Sequence, residues 1–246
     1  SYDKLYHIFA KIKTYVVYGR ENMKNKFLFA LAFILACVGM TGCAQYDELS
    51  LVGKNMSEMS DVYYFSDNSQ FSVSLCSGKR EDPYAYDGYS QNKVDFALIT
   101  AQLDSCDDEM ACVVIDGQEQ NVLLEFNYKT ANHVADLERK LTGNEQVSIK
   151  VGQKSANLVC KSADFGVSAQ QAIKLGVETM QEFITPLCNQ DKFNGECYLK
   201  VLDSLTGGFN EVFWLFSVLD RDGHVENIVI STNQQIVLAD GNESMI

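Results

Sequence analysis

Basic side chains are scarce in this sequence, in which 20 lysines and arginines stand against 33 aspartates and glutamates. A protein that binds nucleic acid needs a basic footprint, because most of its contacts neutralise phosphates. The formal net charge of −13 therefore argues against nucleic acid as a partner. The same imbalance argues against adhesion to anionic lipid headgroups through charge.

Histidine and the short motifs of common hydrolases are also scarce. Only His133 and His224 lie beyond residue 43, and they fall in different predicted units. The sequence has no GxSxG elbow and no CxxC pair. Asp220 and Asp222 match part of a calcium loop, but its terminal glutamate is missing, so we predict a hairpin turn there. We predict no catalytic residues, no cofactor and no metal site; the alternative is an extracytoplasmic hydrolase acting on cell wall or peptides.

One apolar run stands near the start of the chain. Phe27–Val38 is too short to span a bilayer as a stable helix, and Lys24 and Lys26 precede it. The run closes on Met40-Thr41-Gly42-Cys43, which resembles the lipobox of bacterial lipoproteins. The resemblance implies that residues 23–42 are a signal peptide and that Cys43 becomes the lipidated first residue of an extracytoplasmic protein at the cell surface. A plain secretory signal or a buried core helix is the alternative.

Residues 1–22 precede this signal and need a separate interpretation. Gly19 to Asn22 can be encoded by a purine-rich string directly upstream of an ATG, which is typical of a ribosome-binding site. We therefore expect translation to start at Met23 and residues 1–22 to be a non-native upstream extension; the alternative is a real cytoplasmic extension. Residues 43–61 have little apolar periodicity and indicate a lipidated tether.

Processing at Cys43 would make the charge balance more acidic. Residues 1–42 hold six basic and two acidic residues, which leaves 14 basic and 31 acidic residues, a net charge of −17, for residues 43–246. The lipid must then hold the protein to the membrane. One acyl chain gives only marginal binding, so the two or three chains of a lipoprotein suit this role.

Six cysteines remain beyond the predicted anchor, and disulfides form readily outside the cytoplasm. Cys188 and Cys197 flank a polar loop that a disulfide between them would close. Cys106 and Cys112 flank an acidic turn in the same way. Sequence spacing does not choose among the pairings, and buried free thiols are the alternative.

Residues 62–162 show the patterns of short strands. Phe71, Val73 and Leu75 alternate with small or polar residues, which is the period of a half-buried strand. Asp116-Gly117 indicates a hairpin turn, and residues 147–160 predict another hairpin. Ala131–Leu141 is a candidate short helix, stopped by a glycine. These patterns predict a small antiparallel β-sandwich-like domain.

Residues 163–240 have a different character. Ser168 and Gln171 form a capping box, and apolar residues then recur at helical spacing until Pro186. The strands that follow are Glu196–Asp203, Val212–Leu219 and Val225–Ser231, the last two joined by a turn, and Gln235–Leu238 is a candidate edge strand. We predict an α+β protein, in which the β-sandwich-like unit is followed by one long helix packed on a sheet of three or four antiparallel strands.

The end of this second unit resembles a known family. The helix, the strand and the segment FWLFSVLDRDGHVENIVISTNQQIVL, Phe213 to Leu238, resemble the PepSY domain over about 168–240. That family occurs in secreted and membrane-bound bacterial proteins and has been linked to the restraint of extracellular peptidases. The resemblance implies a binding role and supplies no catalytic residues.

The segment from residue 77 to residue 93 gathers cations and tyrosines in an otherwise acidic chain. Tyrosines beside cations make good contact surfaces, because they add area and hydrogen bonding at low entropy cost. The alternative is a long loop whose tyrosines fold back onto the sheet. We predict a membrane-anchored lipoprotein that acts as a non-enzymatic binding module for a protein or a cell-wall glycan, through Lys79, Arg80, Tyr84, Tyr86, Tyr89 and Lys93.

Overall fold

The computed structural model describes residues 47–67, 71–85, 90–208 and 210–244. The predictions for the upstream extension, the signal peptide and Cys43 fall outside these residues, as do those for Tyr86 and Tyr89. No helix in the described ranges is long and apolar enough to cross a membrane.

Strands dominate the described part of the chain, with three short α-helices and two single 3₁₀ turns, Ser162–Asp164 and Thr185–Leu187. The helices are α1 Glu48–Lys54, α2 Ala169–Thr179 and α3 Gln181–Ile184. The strands are β1 Met56–Asp67, β2 Ser72–Glu81, β3 Lys93–Gln102, β4 Glu109–Ile115, β5 Gln118–Asn127, β6 Asn132–Leu137, β7 Val147–Val151, β8 Lys154–Cys160, β9 Cys188–Asn189, β10 Lys192–Phe193, β11 Gly195–Leu202, β12 Phe213–Asp220, β13 His224–Ser231 and β14 Val237–Ser244.

The first eight strands form a closed antiparallel barrel. Their order is β1-β2-β3-β6-β5-β4-β7-β8, and β8 returns to pair with β1, Tyr64 opposite Cys160. Alternate residues point inward and fill the interior, as expected of a barrel of this size. The buried side chains in this core include Val62, Tyr64, Val73, Leu75, Ile99, Val113, Ile115, Leu137, Ile149 and Leu158.

The predicted β-sandwich is therefore wrong, although most of its strands are present. A period of two residues marks an inward face equally in a sandwich and in a barrel, so the pattern does not distinguish them. The candidate helix Ala131–Leu141 is also wrong, because Asn132–Leu137 forms β6 between β3 and β5. Pairing on both sides outweighs its local helix preference.

The remaining long strands extend the same sheet beyond the barrel. The start of β1 pairs in parallel with β11, Met56 opposite Cys197, and β11, β12, β13 and β14 continue as antiparallel neighbours. β1 thus contributes Tyr63 to the core beside this sheet and Tyr64 to the barrel core. The predicted division into residues 62–162 and 163–240 stays a prediction.

The predicted α+β fold with one long helix is wrong, because the described residues are mostly β-strand and the helices among them are short. The Ser168–Gln171 capping box is present at the start of α2, but the helix ends at Thr179. Met180 leaves helical geometry at φ −95° and ψ 23°, and α3 starts after it. Met180 and Ile184 are buried in the same core as the apolar face of α2, which explains why the sequence shows one continuous periodicity.

α2 covers only one face of the extended sheet. Trp214 and Phe216 of β12 are buried in the core with Ile173, and Trp214 Nε1 donates to the carbonyl of Val167 at 2.9 Å. Because side chains alternate along a strand, the other side chains of β12 face away from α2. This second face bears the candidate site.

Acid is expected to weaken the turn that closes one end of the barrel. Glu145 accepts the backbone N–H groups of Thr142, Gly143 and Asn144 at 2.9–3.1 Å, and the Tyr64 hydroxyl at 3.0 Å. Partial burial raises the pKa of Glu145, but these hydrogen bonds outweigh it and lower the pKa to about 2.

The contribution of Glu145 to stability should be complete above its ordinary pKa of 4.5 and lost as the pH falls towards 2. Urea unfolding at a series of pH values measures this contribution to stability. Between pH 5 and pH 2.5 the wild type should lose more stability than Glu145→Gln, which has no charge to protonate. Parallel pH profiles would contradict this expectation.

Candidate binding groove

A groove lies on the face of β11, β12 and β13 that α2 does not cover. Its volume is about 600 Å³. Leu215, Leu219 and Val225 supply an apolar surface, while Ser217 and Asn227 are cross-strand neighbours and supply polar groups. β11 also contributes Tyr198 and Lys200. The start of β1, the end of β2 and the segment after β2 complete the wall, with Ser57, Glu58, Arg80, Glu81, Asp82 and Tyr84.

Two tyrosines meet over a buried carboxylate at one side of the groove. The hydroxyls of Tyr84 and Tyr198 are 2.5 Å apart, and the Tyr198 hydroxyl donates to Glu196 Oε2 at 2.5 Å. Burial, followed by the hydrogen bond to Glu196, raises the pKa of Tyr198 well above its ordinary value. Tyr84 is 56% exposed, so its ring offers contact area to a ligand.

The two cations that line the groove are each bound to a carboxylate. Lys200 Nζ lies 2.9 Å from Glu58 Oε2 and 5.6 Å from the Tyr198 ring centroid. Arg80 pairs with Asp136, and its guanidinium lies 5.1 Å from the centroid of the Phe96 ring. These contacts orient both cations and reduce the free positive charge at the wall.

Two of the six residues predicted to bind a partner line the groove, Arg80 and Tyr84. Lys79 pairs with Asp95 at 3.5 Å on an exposed surface, and Lys93 Nζ donates to the carbonyl of Lys54 at 3.2 Å. Burial lowers the pKa of Lys93. Lys79 and Lys93 are diagonal neighbours on β2 and β3, and neither lines the groove with Arg80.

Sequence reasoning missed the part of the groove that β11, β12 and β13 provide. Residues 212–219 are apolar on both faces, which predicts a central strand covered on both sides. β12 is central between β11 and β13, yet within the described part of the chain only one of its faces packs against a helix. Ser217 was the available signal, since a serine in the middle of an apolar strand marks a less apolar environment.

All six cysteines of the described residues are free thiols. Cys188 packs against the core that contains Cys197, and burial raises the pKa of Cys188 to about 11 and that of Cys197 well above its ordinary value. Cys106 is exposed and Cys112 is half-buried on β4. Both disulfides stay predictions.

The two histidines beyond residue 43 have separate local partners. His133 is buried in β6, and its Nε2 lies 2.9 Å from the carbonyl oxygen of Asp107. His224 Nδ1 lies 2.9 Å from Asp220 Oδ2 in the β12–β13 turn. Neither of these contacts involves a serine or a cysteine.

Asp220, Asp222 and His224 bring one ligand atom each within 4.8 Å of the others, so they could hold a metal ion. Asp220 Oδ1 also accepts the N–H groups of Asp222 and His224 at 2.8 and 2.9 Å. Partial burial raises the pKa of Asp220, but these bonds outweigh it and lower the pKa. The predicted hairpin turn is confirmed. Its hydrogen bonds give the Asp220 carboxylate a role in stabilising the turn.

No protein-family model, no curated protein and no solved structure matches this chain. The resemblance to the PepSY domain therefore stays a prediction.

Proposed function

We propose that this chain is an extracytoplasmic bacterial lipoprotein, anchored through Cys43, that binds a ligand in the groove on β11, β12 and β13 without chemically changing it. The observation that carries this proposal is the groove itself. Its volume of about 600 Å³ falls within the roughly 300–1,000 Å³ of typical ligand sites. Its lining combines three apolar side chains with polar and charged groups, so it offers both contact area and hydrogen-bond partners to a ligand.

The chemistry of the tyrosine pair supports binding. The Tyr198 hydroxyl donates to Glu196 and contacts the Tyr84 hydroxyl, so it offers a fixed hydrogen-bond group at the wall of the groove. The partly exposed ring of Tyr84 adds contact area next to it. The ligand class that fits is a segment of a protein or of a cell-wall polymer.

The groove is tested by titrating the full chain with synthetic pentapeptides and with peptidoglycan-derived oligosaccharides, followed by NMR. We expect one ligand class to shift the resonances of Tyr84, Tyr198 and Asn227. Leu215→Trp should fill the groove and weaken binding about tenfold or more. Tryptophan is well tolerated in strands, so the Tm should change little.

A matched control uses the same substitution on another surface. Leu123 lies on β5, is 45% exposed and does not line the groove. Leu123→Trp should bind with unchanged affinity. Resonance shifts outside the groove, or wild-type affinity in Leu215→Trp, would refute the proposed function.

A further inference from the structure

Two buried acceptors at the barrel end of the groove have no hydrogen-bond partner among the described residues, Ser57 Oγ and Glu81 Oε2. Their residues are 1% and 5% exposed, and both line the groove. β1 and β2 pair Glu58 with Arg80, and Ser57 and Glu81 are the chain neighbours of these two residues. Because the two strands are adjacent and both residues line the groove, the two acceptors lie at the same end of it.

The cations around Glu81 are directed to other acceptors. Lys93 faces Glu81 across β2 and β3. Burial lowers the pKa of Lys93 and the charge of Glu81 raises it, but the amino group donates its hydrogen bond to the carbonyl of Lys54. Lys200 and Arg80 have the carboxylate partners described above. Glu81 Oε1 accepts the N–H of Gln91 at 2.8 Å, which leaves Oε2 as the oxygen without a donor.

A buried polar atom without a partner is costly, and a buried carboxylate oxygen is more costly than a neutral one. Asp82 lines the same part of the groove and adds to its acidic character. A ligand that brought a cationic donor to Glu81 would satisfy the unpaired oxygen and neutralise charge at the same time.

We propose that Glu81 and Ser57 bind the ammonium group of a lysine side chain, carried by a peptide segment that lies in the groove. This inference rests on the proposed function and names its ligand. The four methylenes of lysine can pack on the apolar surface of Leu215, Leu219 and Val225 while the ammonium reaches the buried acceptors. The amine of an amino sugar is attached directly to its ring, which is too wide to reach acceptors that are almost fully buried.

The test is an NMR titration of the full chain with an N-acetylated, C-amidated pentapeptide of four alanines and a central lysine, in 150 mM salt. We expect saturable shifts at Ser57, Glu81 and Leu215. The same peptide with Nε-acetyl-lysine should bind about tenfold more weakly or worse, because it lacks the charge. Glucosamine tetramer should not shift these resonances.

Glu81→Gln separates recognition at this site from general attraction to an acidic protein. Glutamine keeps an acceptor for the Gln91 N–H but has no charge, so the Kd of the lysine peptide should rise about tenfold. The control Glu125→Gln removes the same charge from the exposed face of β5 and should leave the Kd unchanged.

Wild-type affinity in Glu81→Gln, equal affinity for the acetylated peptide, or binding of glucosamine tetramer in place of the lysine peptide would each overturn the inference. If the lysine peptide does not bind but another ligand of the panel still shifts Tyr84 and Asn227, this inference is overturned. The proposed function then still stands. If no ligand of either panel shifts the groove, both fail.

Discussion

Replacing Asp203 with alanine should lower the free energy of unfolding by about 3–5 kcal/mol. Asp203 is 1% exposed and begins the turn after β11. One carboxylate oxygen accepts the Tyr63 hydroxyl at 2.8 Å, and the other accepts the N–H groups of Leu205 and Thr206 and the Thr206 hydroxyl. Alanine would leave the buried Tyr63 hydroxyl and the Leu205 N–H without their acceptor, while the two donors of the exposed Thr206 could bond to water.

The turn contacts both the barrel and the second core, so the loss of stability should affect the whole described fold. The Tyr63 ring stacks between Phe65 and Phe165, with centroids 6.3 Å from each. Asn132 of the barrel donates to the carbonyl of Leu205 in the same turn at 2.6 Å. Asp203 therefore supports contacts between the barrel strands and the second core.

Urea unfolding of a double-mutant cycle measures this interaction. Asp203→Asn keeps one side-chain acceptor oxygen, so this variant should lose less stability than Asp203→Ala. Tyr63→Phe removes the hydroxyl, so the double variant Tyr63→Phe with Asp203→Ala should be more stable than the sum of the single effects predicts. Strict additivity would show that the Tyr63–Asp203 hydrogen bond contributes nothing.

Gly176→Ala should destabilise the protein by about 2 kcal/mol, although alanine is favoured over glycine in a helix by about 1 kcal/mol. A Cβ atom at position 176 would lie 2.3 Å from Cδ1 of Phe216 and 2.6 Å from its Cγ. Phe216 is fully buried on β12, so its ring has no free space into which it can move. α2 would have to shift away from the sheet.

Gly53 provides the matched control for this prediction. It lies in α1, and a Cβ atom there would meet nothing within 4 Å. Gly53→Ala should therefore raise stability by about 0.5–1 kcal/mol. Thermal and urea unfolding of both variants should give opposite signs. A stabilising Gly176→Ala would show that the contact between α2 and β12 is looser than the structure indicates.

Local patterns predicted several elements correctly. Asp116-Gly117 forms the β4–β5 turn with φ of 50° and 79°, the left-handed geometry that this dipeptide favours. The hairpin predicted in residues 147–160 is β7 and β8, and the strands predicted at residues 212–219 and 225–231 are β12 and β13. Each of these depends on neighbouring residues only, which is why sequence periodicity finds them.

The candidate groove was predictable only in part. Arg80 and Tyr84 belong to the segment that the sequence marks by its composition, and both line the groove. Tyr198 and Glu196 are more than 100 residues further along the chain and reach Tyr84 through the parallel pairing of β1 with β11. No local pattern predicts that pairing, since a parallel partner is not adjacent in sequence.

The sequence by itself determined the acidic balance, the resemblance of Met40-Thr41-Gly42-Cys43 to a lipobox, the turns and the inward face of most strands, because these depend on residue type and short spacing. Only the tertiary structure decided that eight strands close into a barrel, that β11–β14 extend the same sheet, and that one face of this extension stays open as a groove. These features depend on which strand pairs with which, a non-local choice that local periodicity leaves open.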